Sequence, residues 1–204
     1  LGRINRRFET MSREVQRLRD ILEDFLRFAG RVKLDLAAVD LNQLVDELVD
    51  FVTPQAAEAR IRLRAAPSAQ PAMVSADAAL LKQAILNLMI NAIQAMAEAR
   101  EDEQPGVGND ELFIRVEQDG SRPPGWQVHV IDTGPGMNPQ DTDKIFQPYF
   151  STKRGGTGLG LPTSRRIVEE HQGTLSFHTE PGRGSDFVLP AADVQAGEIS
   201  SSMK

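Results

Sequence analysis

Hydrophobic positions along this chain follow two periods, and the switches between them mark out its elements. Ile4, Phe8, Met11, Val15, Leu18, Leu22, Phe25 and Ala29 step by four and three alternately, the seam of a heptad helix. Ile21, Leu26 and Phe28 widen that stripe, which suits a four-helix bundle formed with another helix or chain better than a two-helix coil. A long helix packed on its own domain is the alternative. Gly30 is placed to cap it.

After a joint from Arg31 to Asp40, Leu44, Leu48, Phe51 and Val52 give helical spacing to Leu41–Ala59, with Pro54 inside it as a kink or a restart. Ile61–Arg64 alternates as a strand, Pro67–Pro71 is a loop, and Met73–Ser75 is a short strand. Asp77 is placed to cap the strongest helix, Ala78–Arg100, whose buried face is Leu81, Ala84, Ile85, Leu88, Ala92 and Met96. The acidic stretch Glu101–Glu111, with Pro and Gly, reads as a mobile insertion. Leu112–Glu117 and Trp126–Ile131 are strands joined by a turn-rich loop, and Pro139–Lys144 suggests one or two helical turns. Beyond the aromatic cluster Ile145–Phe150, a helix runs from Leu161 to His171 and Gly173 closes it. Thr174–Thr179 and Ser185–Leu189 complete the strands, and 193–204 reads as a disordered tail.

Composition narrows the chemistry. The 204 residues suffice for one domain and an appendage, and the chain opens on Leu1, which reads as part of a longer protein. No apolar run approaches a membrane span, and no signal-peptide pattern opens the chain. Without cysteine there are no disulfides, thiolates or cysteine-ligated metals. The three histidines, His129, His171 and His178, lack metal-ligand spacing. A net charge of −6 argues against a general nucleic-acid binder.

Three motifs then ask for a reason. Asp132-Thr-Gly-Pro-Gly136 ends a strand on a carboxylate and turns through bare backbone, which is either an ordinary turn or a seat for something flat. Gln83, Asn87, Asn91 and Gln94 lie on one flank of the long helix; asparagine is a poor helix former, so the pair is either exposed or faces a polar cleft where an amide oxygen can bind a hard cation. Before the last helix, residues 155–160 hold four glycines, so N–H groups and a helix dipole converge where phosphate oxygens would be favoured. No Gly-Lys-Ser/Thr follows, so this is not a P-loop.

The order of these features resembles the ATP-binding domain of sensor histidine kinases, in the superfamily of gyrase-type ATPases. Leu86-Asn-Leu-Met-Ile-Asn-Ala92 is similar to its N box, Asp132–Gly136 to its first glycine box, and Ile145–Phe150 to its F box. Gly156-Thr-Gly-Leu-Gly-Leu161 is similar to the second glycine box, and Gly182–Phe187 to the final glycine-containing strand. Asn91–Met96 with Phe150–Lys153 most resembles the nitrogen-regulator-like branch. The likeness covers about residues 33–190. Residues 1–32 resemble the second helix of a dimerisation hairpin, but no histidine precedes His129, so the phosphoacceptor is missing from the expected place.

What the resemblance implies can be stated residue by residue. Asp132 accepts the adenine amine, a selection an acceptor-only carboxylate makes against guanine. Gly134 and Gly136 let backbone approach the base, and Ser185 supports the pocket through water. Asn91 is the Mg²⁺ ligand. Asn87 stands where hydrolytic relatives carry a glutamate; an amide cannot deprotonate water, so hydrolysis is poor and the γ-phosphoryl is kept for an imidazole. Lys153 either neutralises the terminal phosphates or is a solvated loop lysine. Gly156, Thr157, Gly158, Leu159 and Gly160 form the lid, Phe146 and Phe150 pack its base, and Lys82 is structural.

The expected fold is an α/β two-layer sandwich, a mixed, mainly antiparallel sheet of about five strands with three helices on one face, plus the N-terminal helix. Residues 1–32 form the partial hairpin, 33–192 the catalytic domain and 193–204 the tail. The expected function is Mg-ATP-dependent phosphoryl transfer to a histidine on a separate hairpin, which then supplies a response regulator receiver domain; the parent is a homodimer, with a membrane anchor upstream left open, and this module is cytoplasmic. A gyrase-type ATPase and an ATP-binding regulatory domain without kinase activity are the alternatives.

Overall fold

A computed structural model describes residues 33–102, 110–120, 125–153 and 156–191. The elements are β1 (Ala37–Asp40), α1 (Leu41–Glu58), β2 (Arg62–Ala66), β3 (Met73–Ala76), α2 (Ala78–Asp102), β4 (Glu111–Gln118), β5 (Trp126–Asp132), α3 (Gly160–Glu170), β6 (Ser176–Glu180) and β7 (Gly184–Ala191). The heptad stretch, its Gly30 cap, the tail and most of the acidic insertion lie outside the described residues. At the insertion's edges, α2 continues through Asp102 and Glu111 already opens β4.

The main sheet has the order β2-β4-β5-β7-β6, with β2 parallel to β4 and every other pairing antiparallel. The expected sandwich is present, because three amphipathic helices find one apolar sheet face to cover. Leu44, Leu48 and Val52 of α1, Ile85, Leu88 and Met89 of α2, and Ile167 of α3 are buried with Ile114, Val128, Val130 and Leu189 from the sheet. Each such side chain contributes roughly 1.5–3 kcal/mol relative to exposure. The period-2 alternation of β5 that puts Val128 and Val130 into this layer carries Asp132 to the same side. A carboxylate is thereby set at the edge of the core by register alone.

Four expectations change. Ala37–Asp40, expected as part of a joint, is a strand paired antiparallel with β3, Val39 opposite Val74, in a separate two-stranded ribbon. Alanine is a weak strand former, so the pairing rather than local preference makes it. Pro54 does not restart a helix, since α1 runs on through it: it lies on the solvent side, where water can satisfy the Asp50 carbonyl it deprives, while the Thr53 hydroxyl donates to the Val49 carbonyl at 2.7 Å. Residues 138–150 form successive three-residue turns, with Asp141 N–H donating to Asn138, Lys144 to Asp141 and Gln147 to Lys144 at 2.8–2.9 Å, rather than α-helical turns. At the end of α3 the left-handed residue is Gln172, at φ 62°, and Gly173 follows it; their N–H groups bond the Glu169 and Val168 carbonyls, the two bonds of a Schellman cap.

The 25-residue α2 is also long and apolar enough by length and composition to cross a membrane, contrary to the expectation that no run approaches that. In this fold it is a core helix. Asp77 caps it as expected, its Oδ1 accepting the N–H groups of Ala79 and Leu80, both at 3.1 Å. Such a cap is worth about 1 kcal/mol.

Candidate active site

Between α2, the end of β5 and the segment leading into α3 lies a cavity of about 1400 Å³. That is ample for a small ligand, since such sites run to roughly 300–1,000 Å³. Asn87, Asn91, Asp132, Gly136, Lys153, Ser185 and all of Gly156–Gly160 line it. Gln83 and Gln94 line it too, so the polar flank of α2 faces a cleft rather than open solvent. Gly134 is the one predicted residue behind the wall.

At one end Asp132 is only 7% exposed. Its Oδ1 accepts the Gly134 N–H at 2.8 Å, and a side chain at Gly134 would meet that oxygen. Gly134 therefore braces the carboxylate and does not present backbone to the cavity. Burial pushes the Asp132 pKa up to about 6, against the N–H groups of Gly134 and Ser185 and the Lys153 ammonium; Asp186 adds to the rise. Gly136 takes φ 65°, and a Cβ there would stand 2.2 Å from the Glu180 carbonyl oxygen, so this turn admits no side chain. Gly184 is tighter still: at φ 102° its Cβ would lie 1.9 Å from the Asp132 carbonyl oxygen.

Ser185 pairs with Asp132 across β5 and β7, and its hydroxyl is 3.1 Å from that of Thr179, which accepts the Met137 N–H at 3.0 Å. Sequence reasoning missed Thr179. The signal was available: it lies two residues beyond Phe177 in a strand, hence on the same face. Met137, Ile145 and Phe187 supply apolar wall beside these polar groups.

At the other end Lys153 Nζ donates to the Asn91 backbone carbonyl at 2.6 Å and also to Asn91 Oδ1. The two residues assigned separately to phosphate and cation thus share one spot, and Lys153 is not a solvated lysine. Burial lowers its pKa to about 8, while Glu98 and Asp132 pull it upward. The Asn91 amide oxygen accepts the Lys153 ammonium, so a hard cation would bind there only once that lysine swings away. Asn87 Nδ2 donates to the Gly160 carbonyl at 3.4 Å, tying the helix to the start of α3. Ser164, fully buried and not anticipated, donates to the Ala84 carbonyl at 3.0 Å and closes the two helices together.

Phe146 meets Phe177 edge-on, centroids 5.7 Å apart, so it packs as expected; Phe150 reaches the cavity wall as well. Lys82 pairs with Glu47 of α1, a link between helices. None of the three histidines lines the cavity: His129 lies on the opposite sheet face between Glu117 and Asp186, His171 ends α3, and His178 is exposed on β6.

Residues 76–194 match the family described as histidine kinase-, DNA gyrase B-, and HSP90-like ATPase. Sensor histidine kinase ZraS of Escherichia coli (strain K12) is 35% identical over 92% of this chain and 38% of its own length. The C4-dicarboxylate transport sensor protein DctS of Rhodobacter capsulatus is 32% identical over 97% of this chain and 29% of its own. The chain thus spans under two-fifths of these relatives. Among solved structures, full-length ShkA in complex with AMPPNP superposes with TM-score 0.77 at 27% identity, over 94% of this chain and 40% of that one. The catalytic domain of histidine kinase ThkA gives 0.65 at 28%, over 78% of this chain and 96% of that one. With the fold, the cavity and a matching segment covering more than half its length, the chain belongs to the histidine kinase-, DNA gyrase B- and HSP90-like ATPase family, and its relatives there are sensor histidine kinases.

Proposed function

We propose that this chain is the catalytic module of a two-component sensor kinase, binding Mg-ATP and donating the γ-phosphoryl to a histidine on a separate dimerisation hairpin. The observation that carries this is the two-ended cavity: a buried carboxylate at one end, an asparagine–lysine pair at the other, and none of the chain's histidines on its wall. Asp132 accepts the adenine amine through the oxygen that Gly134 leaves free. The hydroxyls of Thr179 and Ser185 hold each other in place beside it. Asn91 would hold a magnesium ion, which would supply charge neutralisation on the phosphates. Lys153, whose ammonium donates to Asn91 Oδ1 here, would turn to the phosphates and neutralise the transferring group, with the N–H groups from Gly156 to Gly160 enclosing it.

Asn87 decides what the phosphoryl meets. A carboxylate there would deprotonate water; an amide does not at neutral pH, so the bond to the β–γ bridging oxygen breaks toward an incoming imidazole nitrogen and ADP leaves. The acceptor hairpin, a homodimeric parent, a cytoplasmic setting and a response regulator receiver domain as the next acceptor belong to the same reading. Mixing the chain with Mg-ATP and an isolated histidine-bearing hairpin tests it: an acid-labile phosphohistidine forms on the hairpin, and the chain alone turns over little ATP. Brisk hydrolysis without a hairpin would favour a gyrase-type ATPase; ATP binding with no transfer would favour a regulatory domain.

A further inference from the structure

The far end of α3 carries contacts that neither helix needs for its own termination. His171 Nδ1 lies 2.8 Å from the Ile167 carbonyl, which only accepts, so Nδ1 bears the proton and Nε2 is left as an acceptor. Nε2 takes the Asp77 backbone N–H at 3.0 Å, across 94 positions of sequence. Asp77 Oδ2 accepts the Asp35 N–H at 3.1 Å, across 42 positions. The cap of α2 uses only Oδ1, and the Schellman bonds of Gln172 and Gly173 already close α3. The two extra bonds therefore join separate segments: the linker leaving residues 1–32, the first turn of α2 and the last turn of α3. Burial works to raise the Asp77 pKa, but the N–H groups of Asp35, Leu80 and Ala79 hold it below the usual carboxylate range.

The same two helices meet again beside the cavity. Ser164 bonds the Ala84 carbonyl, and Asn87 bonds the Gly160 carbonyl. A shift of α3 along α2 thus breaks contacts at both ends together. We infer that His171, Asp77 and the Asp35 N–H form a positioning junction that couples the linker to the placement of the lid helix, so that displacement at residue 35 changes nucleotide affinity. The nucleotide part rests on the proposed ATP site; the mechanical part does not.

The full chain tests both parts through amide hydrogen exchange and Mg-ADP titration. His171→Phe keeps the ring and removes the acceptor: exchange should quicken about threefold to tenfold at Asp77 and at residues 33–36, with a similar loss of Mg-ADP affinity. His171→Gln restores an acceptor oxygen and should recover both. Asp35→Pro removes the linker N–H, together with the Asp35 carboxylate and its φ freedom, at a residue outside the cavity wall, and should weaken Mg-ADP by the same factor, while Asp35→Ala, which keeps the N–H, should not. Combined with His171→Phe it should add little more, the mark of residues acting through one junction. Should His171→Phe not fold, the Asp35→Pro arm stands alone. Wild-type exchange at residues 33–36 in His171→Phe, or unchanged Mg-ADP affinity in a folded Asp35→Pro, overturns the coupling. If the unaltered chain binds no nucleotide, the ATP reading has failed, and exchange at 33–36 still decides the junction.

Discussion

The two ends of the cavity are built from different materials. The Asp132 end is made by sheet register and backbone: a strand terminus, two glycines with positive φ, and hydroxyls fixed by a facing strand. The asparagine end is made by side chains reaching between a helix and the segment before α3. Backbone sites are rigid because moving them breaks the fold, whereas side-chain sites rearrange at the cost of a few hydrogen bonds. Base selection suits the first kind of construction and phosphoryl chemistry the second.

The difference can be broken most harshly at Gly184. Gly184→Ala drives a methyl group into the Asp132 carbonyl and forces φ 102° on a residue with a Cβ, so a loss of about 3 kcal/mol is expected, seen as a lower denaturation midpoint. An unchanged midpoint would show that this end yields more easily than its geometry implies. Asp132→Asn comes next. Its single amide oxygen remains bonded to the Gly134 N–H, and its NH₂ then opposes the adenine amine. Adenosine and Mg-ADP should both weaken by about 1.5–3 kcal/mol. The fold should hold or gain stability at neutral pH, because a carboxylate whose pKa is raised to about 6 is held ionised there against its preference.

The pH profile follows from the same group. The folded pKa lies above the ordinary carboxylate value, so its contribution to stability is present at low pH and is lost as pH rises through about 6. Nucleotide binding runs the other way, since the ionised form is the acceptor. Affinity should fall as pH drops below about 6, by up to roughly tenfold per unit, and Asp132→Asn should flatten the profile. The smallest expected effect is at Asn87: Asn87→Glu introduces a base and should raise steady-state ATP hydrolysis modestly without strengthening adenosine binding. Hydrolysis left at the unaltered rate would mean that residue 87 does not address the attacking water.

Much of this site was legible because its chemistry is written in short local patterns. Asp132 could be placed by alternation, and the asparagines by helical spacing. Thr179 and Ser164 were harder, since a lone hydroxyl has no signature until a facing element is known. For Lys153 the sequence allows solvent and site alike; its contact with Asn91 spans 62 positions, which no local pattern encodes. The strand Ala37–Asp40 failed for the same reason, its stability coming from Val74 and its neighbours. Pro54 shows the opposite case, a strong local breaker through which α1 runs on at its exposed face.

The most direct test of the two-ended account is a titration series with adenosine, ATP alone and Mg-ATP on the unaltered chain, Asp132→Asn and Asn91→Ala. Asp132→Asn should weaken all three ligands alike. Asn91→Ala should leave adenosine unchanged, keep the fold, and remove most of the gain that Mg²⁺ gives ATP, a loss of order 2 kcal/mol. If Asn91→Ala leaves the magnesium dependence intact, or weakens adenosine as much as Mg-ATP, the division of the cavity into a base end and a metal–phosphate end is wrong.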